Sequence, residues 1–215
     1  QELGLTVSFR CPRKVVEAAR WRAPAMQYPA WAIDGEVRTL SAWKVDDIPP
    51  TGAIICRNNA PLFRMALEFI KAGRFPQLLG NDIGKALLKI MKKFGEKNLP
   101  FEGVVRAITE WKEKKLVSTR SPGSIHDQAE CMMIFAEQGP NLGAAMAYAE
   151  TLFNSSGPIK MMTIHKSKGL EFEDVFILEP SIIRLGHGQE DNLMYVAQTR
   201  AKRSLTYITI EGYEK

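Results

Sequence analysis

Residues 163–172 read TIHKSKGLEF, a polar, basic run between two apolar stretches, IKMMTI (159–164) and EDVFILEP (173–180). Lys166 and Lys168 are cations, and Gly169 lets a ligand approach the backbone closely. Glu171 is an acceptor suited to a sugar hydroxyl, and His165 is polar at a strand end. The same run also fits a solvated loop with a satisfied histidine. A second stretch, LMYVAQTRAKRS (193–204), puts Arg200 near a helix end. A guanidinium there can stabilise the charge on a transferring phosphoryl group, or it can simply offset the helix dipole. In SFRCP (8–12), Phe9 beside Arg10 suits a purine face beside a phosphate, and equally a buried Phe with a surface Arg. In ICRNNAP (55–61), Arg57, Asn58 and Asn59 crown a strand and precede a helix. Donors in that position suit a phosphate or a base edge, while Asn59 also reads as an N-cap. GNDIGKA (80–86) is one residue short of the phosphate-cradling GxxxxGK[ST], and Ala86 replaces the hydroxyl that would hold Mg²⁺. Gly84 also falls inside a helical pattern, so the phosphate-loop reading is rejected.

These residues need elements to position them. LTVSF (5–9), EVRTLSAW (36–43), GAIICR (52–57), RFPQLLG (74–80), IKMMTI, DVFILEP (174–180) and SLTYITI (204–210) read as strands. Helices are expected over 13–21, 60–73, 81–95 (capped by Asn81 or Asp82) and 190–201. In the second, Leu62, Met65, Ala66, Phe69 and Ile70 share a face, and Gly73 ends it. The stretch 100–155 changes character: three helical patterns over 101–117, 124–139 and 141–153, punctuated by SPG and GPN, with no strand. Strands alternating with helices predict a mostly parallel, doubly wound α/β sheet. In such sheets ligands sit beyond the carboxyl ends of the strands, where TIHKSKGLEF is expected.

The chain has 215 residues, 45% of them hydrophobic, with a net charge of +5. The excess charge mildly favours phosphate-bearing partners. Cys11, Cys56 and Cys131 are scattered, so neither a zinc site nor a disulfide framework is indicated. A reducing, cytoplasmic setting fits, with no membrane span and no metal ligands expected in this chain. The opening on QELGLTVSFR, without Met, suggests part of a longer polypeptide.

Order and spacing add what the single motifs lack. TIHKSKGLEF before VFIL, then YVAQTRAK before a strand, resemble motifs V and VI of superfamily 1 DNA helicases of the UvrD/Rep/PcrA type. SFRCP before a helix resembles motif IV, and AIICRNNAPLFRMALEFIKAG the strand and helix that follow it. The resemblance covers about 1–21, 52–95 and 159–210. It implies a second, C-terminal RecA-like domain: a three-layer α/β fold with a mostly parallel sheet and a small all-helical insert. Residues 1–95 and 156–215 would form the RecA-like part, and 96–155 a reduced accessory insert.

By the same resemblance, Arg200 and Arg10 would reach the γ-phosphate of ATP, whose Mg²⁺ ligands lie on a separate N-terminal RecA-like domain. Phe9 would stack on adenine, where the family more often has Tyr. Glu171 would meet the sugar, with Gly169 beside it. Arg57, Asn58, Thr163, His165 and Lys166 would contact single-stranded DNA. The whole would be a 3′–5′ DNA helicase serving DNA repair, replication, recombination or a mobile element, inactive without the partner domain. The chain departs from the family at Ala197, where Gly is common, and in lacking motifs I to III. The other function class consistent with those absences is a non-catalytic, helicase-like nucleic-acid-binding or regulatory module.

Overall fold

The computed structural model describes residues 6–80 and 82–210. In chain order the elements are α1 (Arg13–Ala19), β1 (Glu36–Leu40), β2 (Gly52–Cys56), α2 (Asn59–Lys71), the two-residue β3 (Gln77–Leu78) and α3 (Asp82–Met91). There follow α4 (Phe101–Leu116), α5 (Pro122–Ala136), α6 (Leu142–Phe153), β4 (Lys160–Thr163), β5 (Phe172–Leu178), α7 (Gly188–Gln198) and β6 (Ala201–Ile208). The chain forms two compact units, Gln1–Arg57 with Pro158–Lys215, and Asn58–Gly157.

The first unit is an α/β lobe. Its strands run in the order β1-β6-β5-β2-β4, and each neighbouring pair is parallel. All five residues of β2 are buried, as are the last five of β5. Continuous apolar runs such as GAIIC and VFIL are what a parallel sheet covered on both faces requires. Leu193 and Ala197 of α7 and Val15, Val16 and Ala19 of α1 are also buried. The fold class read from the sequence is therefore the observed one: α/β, with a parallel sheet and a helical addition.

The opening strand is different. Val7 makes only an isolated parallel bridge with Gln27, and Leu5 lies outside the described residues. Arg10 and Cys11 turn into α1 at once, so LTVSF has no length left for a ladder. Asn81, one of the two suggested caps for α3, is also outside the described residues.

The second unit is helical. Residues 58–95, grouped with the sheet in the sequence reading, cluster here with the helices. The reason is packing: Phe63 of α2 meets Phe135 of α5 at 5.5 Å and Phe153 of α6 at 5.4 Å between ring centroids. The α2 face was read correctly, with Leu62, Met65, Ala66 and Phe69 buried and Ile70 half-buried. The N-terminus of α2 is held by a carboxylate from α5: Asp127 accepts from the backbone N–H of Asn59 and Ala60 at 2.9–3.1 Å. Gly84 proves to be a packing glycine, because a Cβ there would lie 2.6 Å from the ring of Phe153.

Candidate functional site

The loop between β4 and β5 does not sit at one end of the sheet. In register, Thr163 at the end of β4 lies beside Cys56, at the carboxyl end of β2. Asp174, near the start of β5, lies beside Gly52 at the amino end of β2. Residues 164–171 therefore cross from one end of the strands to the other. The expectation that the whole motif lies beyond the carboxyl ends is corrected: Thr163 and His165 do, whereas Glu171 stands at the amino end. Ser167, fully buried, pins the crossing by donating to the Ile164 carbonyl at 2.8 Å. Two further bonds tighten it, Ser167 N–H to Thr163 O and Leu170 N–H to Ser167 O. Gly169 has φ +82° with open space where a Cβ would be, so it is the backbone conformation that favours glycine.

At the amino end three predicted residues come together. Arg10 Nη1 donates to Glu171 Oε1 at 2.9 Å. Arg200, directly before β6, donates from Nε to Val196 O at 2.9 Å, from Nη1 to Leu170 O at 3.2 Å and from Nη2 to Thr199 Oγ1 at 3.2 Å. These bonds fix the guanidinium between the end of α7 and the crossing loop. Burial lowers the Arg200 pKa, and the like charge of Arg10 lowers it further. Burial also opposes the charge on Arg10, but the hydrogen bonds and opposite charges around it, with Glu171 foremost, leave its pKa raised. Glu171 is held below its ordinary value, chiefly by the Arg10 hydrogen bond. Arg10 Nε is buried without a hydrogen-bond partner.

Phe9 is 71% exposed, which decides against the buried-Phe alternative. Its ring is stacked against Trp31, itself 70% exposed, at 6.3 Å between centroids. Trp31 was not singled out from the sequence, because a Trp in a proline-rich stretch carries no spacing that ties it to Phe9.

At the carboxyl end, Arg57 follows β2 and meets Glu190 in the first turn of α7. Its Nε lies 3.0–3.1 Å from both carboxylate oxygens and its Nη2 lies 2.9 Å from Oε1. His165 is exposed on the same side. Its pKa is lowered, first by burial and then by the positive charges of Arg57 and Lys168, with Glu190 opposing. These surroundings favour the neutral form of His165. Lys166 is exposed in the crossing loop. Asn58 belongs to the helical unit, at the N-cap position of α2, where its side chain makes no capping bond. Glu190 was missed as well: in HGQEDNL it reads as an ordinary acidic first turn.

The fold and its clusters define an α/β protein with a parallel sheet whose amino-end edge holds paired guanidiniums and a carboxylate. Residues 141–212 match the family model of the UvrD-like helicase C-terminal domain, so the resemblance carried by motifs V and VI is shown for that stretch. The match contains Thr163, His165, Lys166, Gly169, Glu171 and Arg200; Phe9, Arg10, Arg57 and Asn58 precede it. Among solved structures, the chain is similar to the C-terminal domain of a possible DNA helicase from Lactobacillus plantarum WCFS1, with a TM-score of 0.48 and 12% identity. That similarity covers 94% of this chain and 88% of the other. No curated protein matches the chain. No helix among the described residues is long and apolar enough to cross a membrane.

Proposed function

We propose that this chain is the C-terminal motor domain of an ATP-dependent DNA helicase or translocase, working against an N-terminal RecA-like domain that carries the Walker sequences. The observation that supports this most is the convergence of Arg10, Glu171 and Arg200, drawn from three separated sequence segments, on the amino end of one sheet. The two guanidiniums carry more positive charge than the single carboxylate of Glu171 offsets, which favours an anionic ligand beside them.

The residues present fit ATP. Arg10 keeps a buried N–H without a partner, and Phe9 offers an exposed aromatic face. ATP, with Mg²⁺ held by the partner domain, would supply the phosphoanhydride bond whose hydrolysis drives movement. Arg10 and Arg200 then reach the γ-phosphate and stabilise the charge that develops in transfer. Phe9 stacks on the base, and Glu171 accepts from a sugar hydroxyl next to the close backbone approach at Gly169. Closure of the two domains depends on those arginine contacts, and their loss after hydrolysis reopens the cleft.

At the other end of the strands, Arg57, Thr163, His165 and Lys166 contact single-stranded DNA. Asn58 is proposed as a further strand contact from the start of its own unit. The 3′–5′ polarity follows from the family resemblance. α7 connects the two ends. The rise of a helix sets Glu190 and Gln198, which lies two residues before Arg200, about 12 Å apart along the axis, so a shift of α7 moves the phosphate-facing and strand-facing groups together.

The test is Arg200→Ala in the complete protein. ATPase turnover should fall about a thousandfold or more, while affinity for single-stranded DNA stays within about threefold, since the residue lies at the opposite end of the sheet. Undiminished turnover would end the proposal.

A further inference from the structure

We infer that Glu190 is an anionic clamp on Arg57, occupying the guanidinium that the DNA strand must take and thereby setting the affinity for that strand. The inference rests on the reading of Arg57 as a strand contact and goes beyond it, because Glu190 is assigned no role by that reading.

The geometry is specific. Three donor–acceptor distances of 2.9–3.1 Å join the Arg57 guanidinium to both oxygens of one carboxylate. This is the bidentate arrangement that guanidinium also makes with phosphate. A carboxylate and a phosphate therefore compete for the same N–H groups. The surroundings reinforce the competition. His165 feels positive charge from Arg57 and Lys168 and negative charge from Glu190, so Glu190 is the group that offsets this basic corner. The side chains are only partly covered, with 30% of Arg57 and 20% of Glu190 exposed, so solvent and a phosphate can reach the pair.

A structural role alone has a different signature. Glu190 lies in the first turn of α7, where an acidic residue favours the helix. Its neighbour Asp191 does comparable local work, accepting from the Gly186 backbone N–H at 2.8 Å. Asp191 makes no bond to Arg57 among the described residues, so it is the natural control for loss of one negative charge.

The experiment measures binding of a 20-nucleotide deoxythymidine strand to this 215-residue chain at several low salt concentrations, by fluorescence anisotropy. Glu190→Gln should tighten binding several-fold. It should also steepen the dependence of log K on log salt by up to about 0.7, the value of one added phosphate contact on a single strand. Asp191→Asn should produce neither change, and in the double variant Arg57→Ala/Glu190→Gln the gain should disappear. Weaker or unchanged binding in Glu190→Gln would overturn the clamp, as would an equal gain in Asp191→Asn or a gain that persists without Arg57. If Arg57→Ala alone leaves binding unaltered, it is the strand-contact reading that fails. If Arg57→Ala weakens binding but Glu190→Gln does not strengthen it, only the clamp fails.

Discussion

Arg10 and Glu171, 161 positions apart, are joined by a 2.9 Å hydrogen-bonded ion pair at the amino end of the sheet. About a third of the arginine side chain and nearly half of the glutamate remain exposed. Exposed pairs of this kind contribute only about 0–1 kcal/mol. The pair is thus a poor device for stability and a reasonable one for placing two polar groups beside a ligand.

That contrast makes the first prediction. Glu171→Gln should leave the midpoint of thermal unfolding nearly unchanged, by calorimetry on this chain. In the complete protein it should raise the KM for ATP about tenfold, the value of one lost interaction of about 1.4 kcal/mol, with a smaller effect on kcat. Arg200→Ala should act mainly on kcat. A large loss of stability in Glu171→Gln, with unaltered KM, would mean that the carboxylate serves the fold.

Asp174 presents the opposite case. It is 4% exposed and accepts from Arg203, from Ser204 Oγ at 2.7 Å and from Thr51 Oγ1 at 3.0 Å. Burial pushes its pKa up, and these hydrogen bonds, with the charge of Arg203, more than reverse it. Its folded pKa is therefore below its unfolded one. The contribution to stability is full above the usual aspartate range and is lost as pH falls through the depressed folded value. Asp174→Asn should destabilise the chain by about 2 kcal/mol at pH 7. The difference from the parent should shrink as the solution is acidified below the usual aspartate range, as measured by urea unfolding at each pH. An unchanging difference down to low pH would refute this assignment.

Gly84 sits inside α3, where Ala would gain about 1 kcal/mol in helix propensity. The added Cβ would come within 2.6–2.7 Å of the Phe153 ring. That ring is confined by Phe63 and Phe135, with centroids 5.4 and 5.6 Å away. Overpacking costs about 1–3 kcal/mol, so Gly84→Ala should be destabilising by about 1 kcal/mol net. A stabilised variant in chemical denaturation would show that α3 and α6 can separate without penalty.

Much of this was legible in the residues. GAIIC and VFIL are continuous apolar runs inside β2 and β5, and β4 falls within the IKMMTI stretch. The α2 face was readable from its 3.6-residue period. The opening strand failed because its pattern is too short for a ladder and the chain turns away at Arg10. The grouping of α2 with the helices could not be read either. Phe63 finds its partners in α5 and α6, 72 and 90 residues later, and periodicity within one helix does not say which neighbour covers its face.

The sequence by itself determined which side chains carry the charges, rings and hydrogen-bonding groups, because residue chemistry and local spacing are properties of the chain. Tertiary structure alone decided where they stand. Parallel register sends residues 164–171 from the carboxyl end of β4 to the amino end of β5, so one continuous motif reaches two ends of the sheet. It also decided which acids face which arginines. Glu171 reaches Arg10, and Glu190 reaches Arg57, across 161 and 133 positions. Long-range pairing of that kind is fixed by strand order and helix direction, and no local pattern encodes it.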